Sequence, residues 1–300
     1  MKSITRTAAL NRLATCLLWG IPFDVHPNSL VTEVLNDDIL NPYVPAPATA
    51  GQYIVPPYDP DTETRDLKLG MIMIGRGGHG GTIDDDGEMV PITYPHEATH
   101  TGMFRYLPLL TRPASGDLTG EEKAKYRLRT TMRINNVLYA IYWGKLVDTS
   151  SSEIIEVIET VENGRIVSSK PYTPTANDAR PEKTDIQQTA TGVYLRTYAG
   201  INLAFSNDEI EDIVNACELM YGSANKAVIS EIAFCFGVDK KVTTMYSEAG
   251  TTVIQAPADT YEFVAPHLGT IESTFKPVEF TGGFLDTKNI GVSEPLFGAR

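Results

Sequence analysis

Seven residues, Gly75-Arg76-Gly77-Gly78-His79-Gly80-Gly81, restrict this chain more than any others. Five of them are glycine, so the segment has few side chains to pack and a backbone free to turn sharply or to approach other atoms closely. The apolar run Met71-Ile72-Met73-Ile74 leads into it, and the acidic turn Asp84-Asp85-Asp86-Gly87-Glu88 follows. This order predicts a strand, a close-approach turn and an acidic hairpin. The string also matches G-x-G-x-x-G, but a dinucleotide site needs the third glycine to open a helix whose amides bind the pyrophosphate. Gly81, the acidic turn and Pro91 follow instead, and no helical stripe can be drawn. No nucleotide and no other cofactor is expected. A calcium loop fails as well, because its twelfth position would be Thr93 rather than a bidentate glutamate.

Downstream lies His96-Glu97-Ala98-Thr99-His100, a true H-E-x-x-H. On a helix, His96 and His100 would share a face and hold zinc, Glu97 would polarise the bound water, and Glu121 or Glu122 could be the third ligand. Pro95, Gly102 and Pro108 leave room for little more than a turn, and Val90 to Tyr94 lacks the apolar face that anchors such a helix. The motif is therefore read as a histidine-bearing loop. A zinc-dependent metallohydrolase using His96, His100 and Glu121 is the alternative. His26, His79 and His267 have no partners at ligand spacing, and no G-x-S-x-G occurs.

The charge balance is −13, from 25 basic and 38 acidic residues. Such a surface opposes binding to nucleic acid or to an anionic membrane. No apolar run approaches the length of a membrane span. Lys2, Arg6 and Arg12 precede Leu13 to Trp19 in the manner of a signal peptide, but Arg12 breaks the apolar region and no small-residue cleavage site follows. The expectation is a soluble protein made in the cytosol. Cys16, Cys217 and Cys235 are odd in number and far apart, which predicts reduced core thiols.

Residues 5 to 19 should form a helix ended by Gly20 and Pro22, with a second short helix over Ser29 to Leu40. Six prolines between 41 and 60 predict an extended strap. Residues 1–66 are thus expected to be a helical arm and proline-rich strap, and 67–300 the main domain, with a possible sub-boundary near 170–188. Within the arm, Leu10, Leu13, Leu17, Trp19, Tyr53 and Tyr58 are the candidate interface residues.

Alternation in Tyr126 to Arg133 and in Val137 to Val147 around Asn135-Asn136 predicts a hairpin. Asn163-Gly164 predicts another, between Glu153–Glu162 and Arg165–Ser169. Val193 to Tyr198 and Ala227 to Phe236 read as strands. Asn207 to Tyr221 reads as a helix, with a Ser206/Glu209 capping box and Gly222 as its stop. Tyr106, Tyr126, Tyr139, Tyr142 and Trp143 concentrate aromatic area in sheet core or at an interface. The fold class is α+β: a strand-rich mixed domain with long hairpins and one capped amphipathic helix.

Several stretches carry a family texture. They are the glycine-histidine turn, His96 with Phe104-Arg105-Tyr106-Leu107-Pro108-Leu109-Leu110-Thr111-Arg112-Pro113, and Asp117-Leu118 with Tyr126 to Arg129. Tyr139 to Trp143, Asn215-Ala216-Cys217, Ala227 to Ala233, Gly237-Val238-Asp239 and Glu294-Pro295-Leu296 continue it. On these the chain resembles a family of virion structural proteins of tailed bacteriophages, most fully over Met73 to Asp148. The resemblance implies a structural role in the neck or in the tail and baseplate, and carries over no catalytic residue. The expected function is a non-enzymatic subunit of a symmetric ring in the virion. Its partners would be copies of itself and neighbouring virion proteins, with no nucleic acid, membrane or small-molecule substrate.

Overall fold

The computed structural model describes residues 6–21, 23–24, 52–53, 68–173, 192–242, 245–248, 252–255, 260–274 and 284–296. The helix expected at 29–40, most of the proline strap, most of the 170–188 loop, and Tyr58 lie outside them. In chain order the first elements are α1 (Ala8–Trp19), β1 (Phe23–Asp24), β2 (Gln52–Tyr53), β3 (Lys68–Gly75), β4 (His79–Ile83) and β5 (Met89–Thr93). Next come β6 (Tyr106–Leu107), β7 (Leu110–Pro113), α2 (Gly120–Lys123), β8 (Tyr126–Ile134), β9 (Val137–Leu146), β10 (Ile154–Glu162) and β11 (Arg165–Pro171). The last are β12 (Val193–Phe205), α3 (Asn207–Tyr221), β13 (Glu231–Val242), β14 (Met245–Glu248), β15 (Thr252–Gln255), β16 (Thr260–Ser273) and β17 (Phe284–Pro295). Strands dominate, so the fold is α+β and mostly β.

The compact units do not divide at residue 66. Residues 1–57, 149–201 and 287–300 form one, and 58–148 with 202–286 form the other. In the first unit the sheet order is β11-β10-β12-β17. Strand β12 alternates strictly, burying Leu195, Thr197, Ala199 and Ile201 on one face. Helix α1 is started by Thr7, whose hydroxyl accepts from the Leu10 amide, and stopped by Gly20 in the left-handed region. It docks on its own chain: Trp19 Nε1 donates to the Ile290 carbonyl at 3.1 Å, and Arg12 pairs with Glu156 at 3.2 Å. Trp19 is therefore a core residue, 1% exposed, whereas Leu10 and Leu17 remain about half exposed. Leu13 is intermediate, and Tyr53 lies in β2, paired with Phe23. The face of α1 that is buried is Asn11, Thr15, Cys16 and Trp19, not the Leu10–Leu17 stripe.

In the second unit the sheet order is β16-β13-β3-β9-β7, with β6 also on β3 and β8 on β9. Strand β3 is buried on both faces (Leu69, Met71, Ile72, Met73 and Ile74), which explains its unbroken apolar run. Asn135 and Asn136 both take positive φ, as do Asn163 and Gly164, so both tight hairpins turn where expected. Helix α3 has the full capping box, with Ser206 accepting from the Glu209 amide and Gly222 closing the end in the left-handed region. Strand β13 begins at Glu231, not at Ala227.

Cys16, Cys217 and Cys235 are free and buried. Burial pushes the Cys217 thiol up to about 11 and the Cys235 thiol up to about 12, far from the thiolate form that reacts. Titration of the native protein with a disulfide reagent at pH 8 is expected to label none of the three, and all three after denaturation.

Candidate functional site

A glutamate inside an apolar strand must find partners or lose its charge. Glu231 opens β13 and is fully buried. In the sheet it lies opposite Gly75, the last residue of β3, which on its other side pairs with Tyr106 of β6. Its carboxylate is ringed by backbone donors. The Gly77 amide donates to Oε2 at 2.6 Å, the Arg105 amide to Oε2 at 3.3 Å, and the Phe104 amide to Oε1 at 2.8 Å. His96 Nε2 completes the set at 2.8 Å from Oε1, with its side chain 6% exposed.

The glycines follow from this geometry. A Cβ on Gly75 would come within 2.6 Å of the Arg105 carbonyl and 2.8 Å of Glu231 Oε2. On Gly77 it would enter Phe104 Cβ and lie 2.9 Å from Glu231 Oε2, and on Gly78 it would enter the Ser230 carbonyl. The glycine run is therefore a clearance around a buried carboxylate. Neighbouring bonds fasten the turn: Gly78 N–H donates to Ser230 Oγ, Ser230 N–H to the Gly75 carbonyl, and Tyr94 N–H to the Gly78 carbonyl.

No helix forms over H-E-x-x-H. Residues 95–101 are loop and turn, as expected. Yet His96 is more than a loop residue, because it is stacked on Phe104 with ring centroids 4.2 Å apart and tied to Glu231. His96 Nδ1 lies 3.2 Å from His100 Nδ1, and the Glu97 amide donates to that same His100 atom. His100 Nδ1 thus accepts, so the hydrogen between the two rings belongs to His96. His96 thus bridges the buried carboxylate on one side and His100 on the other. Glu121 stands exposed on α2. Among the described residues, no group of three or more His, Cys, Asp or Glu is placed to hold a metal ion.

Sequence reasoning missed Glu231, although one signal was available. It is the lone charge in the buried run from Ala227 to Phe236, and such a charge requires compensation.

Two concavities flank this region of the second unit. The larger, about 1290 Å³, lies beside the start of α3, and two ion pairs form in its walls. Arg112 makes a two-pronged pair with Asp212, both bonds at 2.9 Å. Lys145 donates to Glu209 at 2.6 Å, and the Tyr126 hydroxyl donates to the same oxygen at 3.2 Å. Burial pushes the Tyr126 phenol up, and Glu209 adds to this. The smaller, about 390 Å³, opens beside the glycine turn. Arg76, Arg105, Lys226, His79, Tyr94 and Phe104 are among its walls, and no carboxylate is.

A family model described as a family of unknown function (DUF7208) matches residues 53–299. The chain belongs to that family. DUF7208 takes in every residue of the Glu231 brace and of both concavities, and leaves α1 outside the match. No curated protein and no solved structure matches the chain.

Removing either partner of a buried hydrogen bond leaves the other unmatched, at a cost of about 1–3 kcal/mol. Chemical denaturation is expected to show a loss of that size for Glu231→Ala and for His96→Ala. Glu231→Gln should also destabilise, since its amide nitrogen would face a backbone donor. Glu97→Gln, at an exposed position, should leave stability unchanged. Elemental mass spectrometry of the purified protein is expected to find no stoichiometric zinc, and one zinc per chain lost in His100→Ala would restore the metallohydrolase.

Proposed function

We propose that this protein is a non-enzymatic structural subunit of a tailed-bacteriophage virion, forming a ring in the neck or collar, or in the tail or baseplate, through contacts between copies. It would be made in the host cytoplasm and act in the virion beside neighbouring virion proteins. One observation carries the reading. The residues with the most chemical promise are consumed in bracing backbone: His96 is held by Glu231, His100 by His96, and the glycines by the space the carboxylate needs.

What the chain leaves exposed suits assembly better than catalysis. Ile83 and Met89 on the β4–β5 hairpin, Ile166 and Val167 on β11, and Leu285 on β17 are each more than half exposed. Apolar side chains on hairpins and sheet edges are natural contact points for another chain. The resemblance of Met73 to Asp148 to virion structural proteins supports the same reading.

Deleting residues 1–60 would uncover the core beneath Trp19, so the role of the arm is better tested on its outer side. The wild-type protein is expected to form closed oligomers in mass photometry and in electron-microscopic class averages as concentration rises. Leu10→Asp with Leu17→Asp should weaken that assembly while leaving the circular dichroism spectrum unchanged. A wild-type chain that remains monomeric throughout, and is missing from purified virions by mass spectrometry, would overturn the proposal.

A further inference from the structure

The second unit carries two opposite charges at two ends of one rigid feature. At the tip of the β4–β5 hairpin, Asp84, Asp85, Asp86 and Glu88 occur with no base between Ile83 and Met89. The turn is preorganised. Asp84 Oδ1 accepts from the amides of Asp86 and Glu88 at 3.1 and 2.8 Å, and Gly87 takes the left-handed conformation the turn requires. None of the four carboxylates meets a cation among the described residues. Ile83 and Met89 stand opposite each other just behind the tip, 69% and 78% exposed, and give it an apolar collar.

At the root of the same hairpin lies the 390 Å³ pocket, with Arg76, Arg105 and Lys226 in its walls. Tyr221 positions two of these cations without neutralising them. Its ring lies 5.0 Å below the Arg76 guanidinium, and its carbonyl accepts from Lys226 Nζ at 2.8 Å. His79 Nδ1 in the same wall is buried and has no hydrogen-bond partner. Tyr94 and Phe104, both over 40% exposed, supply aromatic surface. The pocket therefore presents cations and aromatic faces, matching the acids and apolar collar of the tip.

A strand of five residues rises roughly 17 Å, so the tip of a straight hairpin is carried well away from the pocket at its own root. The complement must come from a different molecule. We propose that the acidic hairpin tip of one copy docks in the Arg76–Arg105–Lys226 pocket of the next. This contact is heterologous and head-to-tail, the kind that closes into a ring when its rotation divides the circle. The inference rests on the ring reading above and names the surfaces that would build it.

Charge reversal of each side, followed by mixing, tests it on the full chain. One variant carries Asp84→Lys, Asp85→Lys and Asp86→Lys, all in an exposed turn. The other carries Arg76→Glu and Lys226→Glu. Each alone is expected to associate at least about tenfold more weakly than wild type, with the loss read by sedimentation velocity at low salt. Mixed in equal amounts, the basic tip of the first meets the acidic pocket of the second, and its basic pocket takes the second's acidic tip. Assembly should return as strictly alternating, even-numbered oligomers. Wild-type assembly should also weaken between low and high salt. Circular dichroism of each variant separates lost docking from lost folding, and Lys226→Glu alone, at an exposed position, serves if the double variant unfolds. Variants that assemble like wild type, or paired losses that mixing does not rescue, would overturn the hairpin–pocket contact and leave the ring reading standing. A wild-type chain that never self-associates would overturn both.

Discussion

The second unit depends on one buried carboxylate. An ionised glutamate with no access to water costs several kcal/mol unless its oxygens are filled. Glu231 meets that demand with three backbone amides and one imidazole. These donors fix three pieces of chain. Gly77 brings the end of β3, Phe104 and Arg105 bring the approach to β6, and His96 brings the loop between β5 and β6. The consequence is a rigid junction where irregular backbone would otherwise be free. Asp117 does a similar job elsewhere in the second unit, accepting from the Leu118 amide, the Tyr142 hydroxyl, Arg129 and Lys123. Burial alone would raise its pKa, but these partners hold it below the usual carboxylate range. The fold uses carboxylates as brackets where two-residue strands cannot hold themselves.

Local chemistry made much of this architecture readable. Asn135-Asn136 and Asn163-Gly164 tolerate positive φ, and both turned as expected. Ser206, Glu209 and Gly222 set the ends of α3 because capping involves only residues a turn apart. The glycine run was correctly read as a close-approach turn, but what it approaches could not be named. Its Gly77 amide and the carboxylate that receives it are 154 positions apart in the chain, beyond the reach of any pattern window. Trp19 shows a second limit. An amphipathic helix declares that one face will be covered without declaring by what, and here the cover is the chain's own β17 strand.

H-E-x-x-H carries the letters of a zinc site without the helix that such a site uses. Spacing confers zinc geometry only through a helix, and Pro95 and Gly102 deny one. What the spacing produces in a loop is a contact between two imidazoles, one of them hydrogen-bonded to a buried acid. The same residues that a metalloprotease would devote to water activation are devoted here to fastening the root of a hairpin. That outcome supports reading the molecule as a component whose output is shape.

The sequence distance between Glu231 and its donors also sets an order of events during synthesis. While the ribosome is still making residues 106 to 230, the glycine turn, the loop holding His96 and the amides of Phe104 and Arg105 all exist without the carboxylate that fixes them. The hairpin they root cannot take its final bearing until β13 has emerged and paired with β3. A prematurely ended chain therefore presents an unanchored hairpin, and only a chain completed past that point holds the hairpin in a fixed direction.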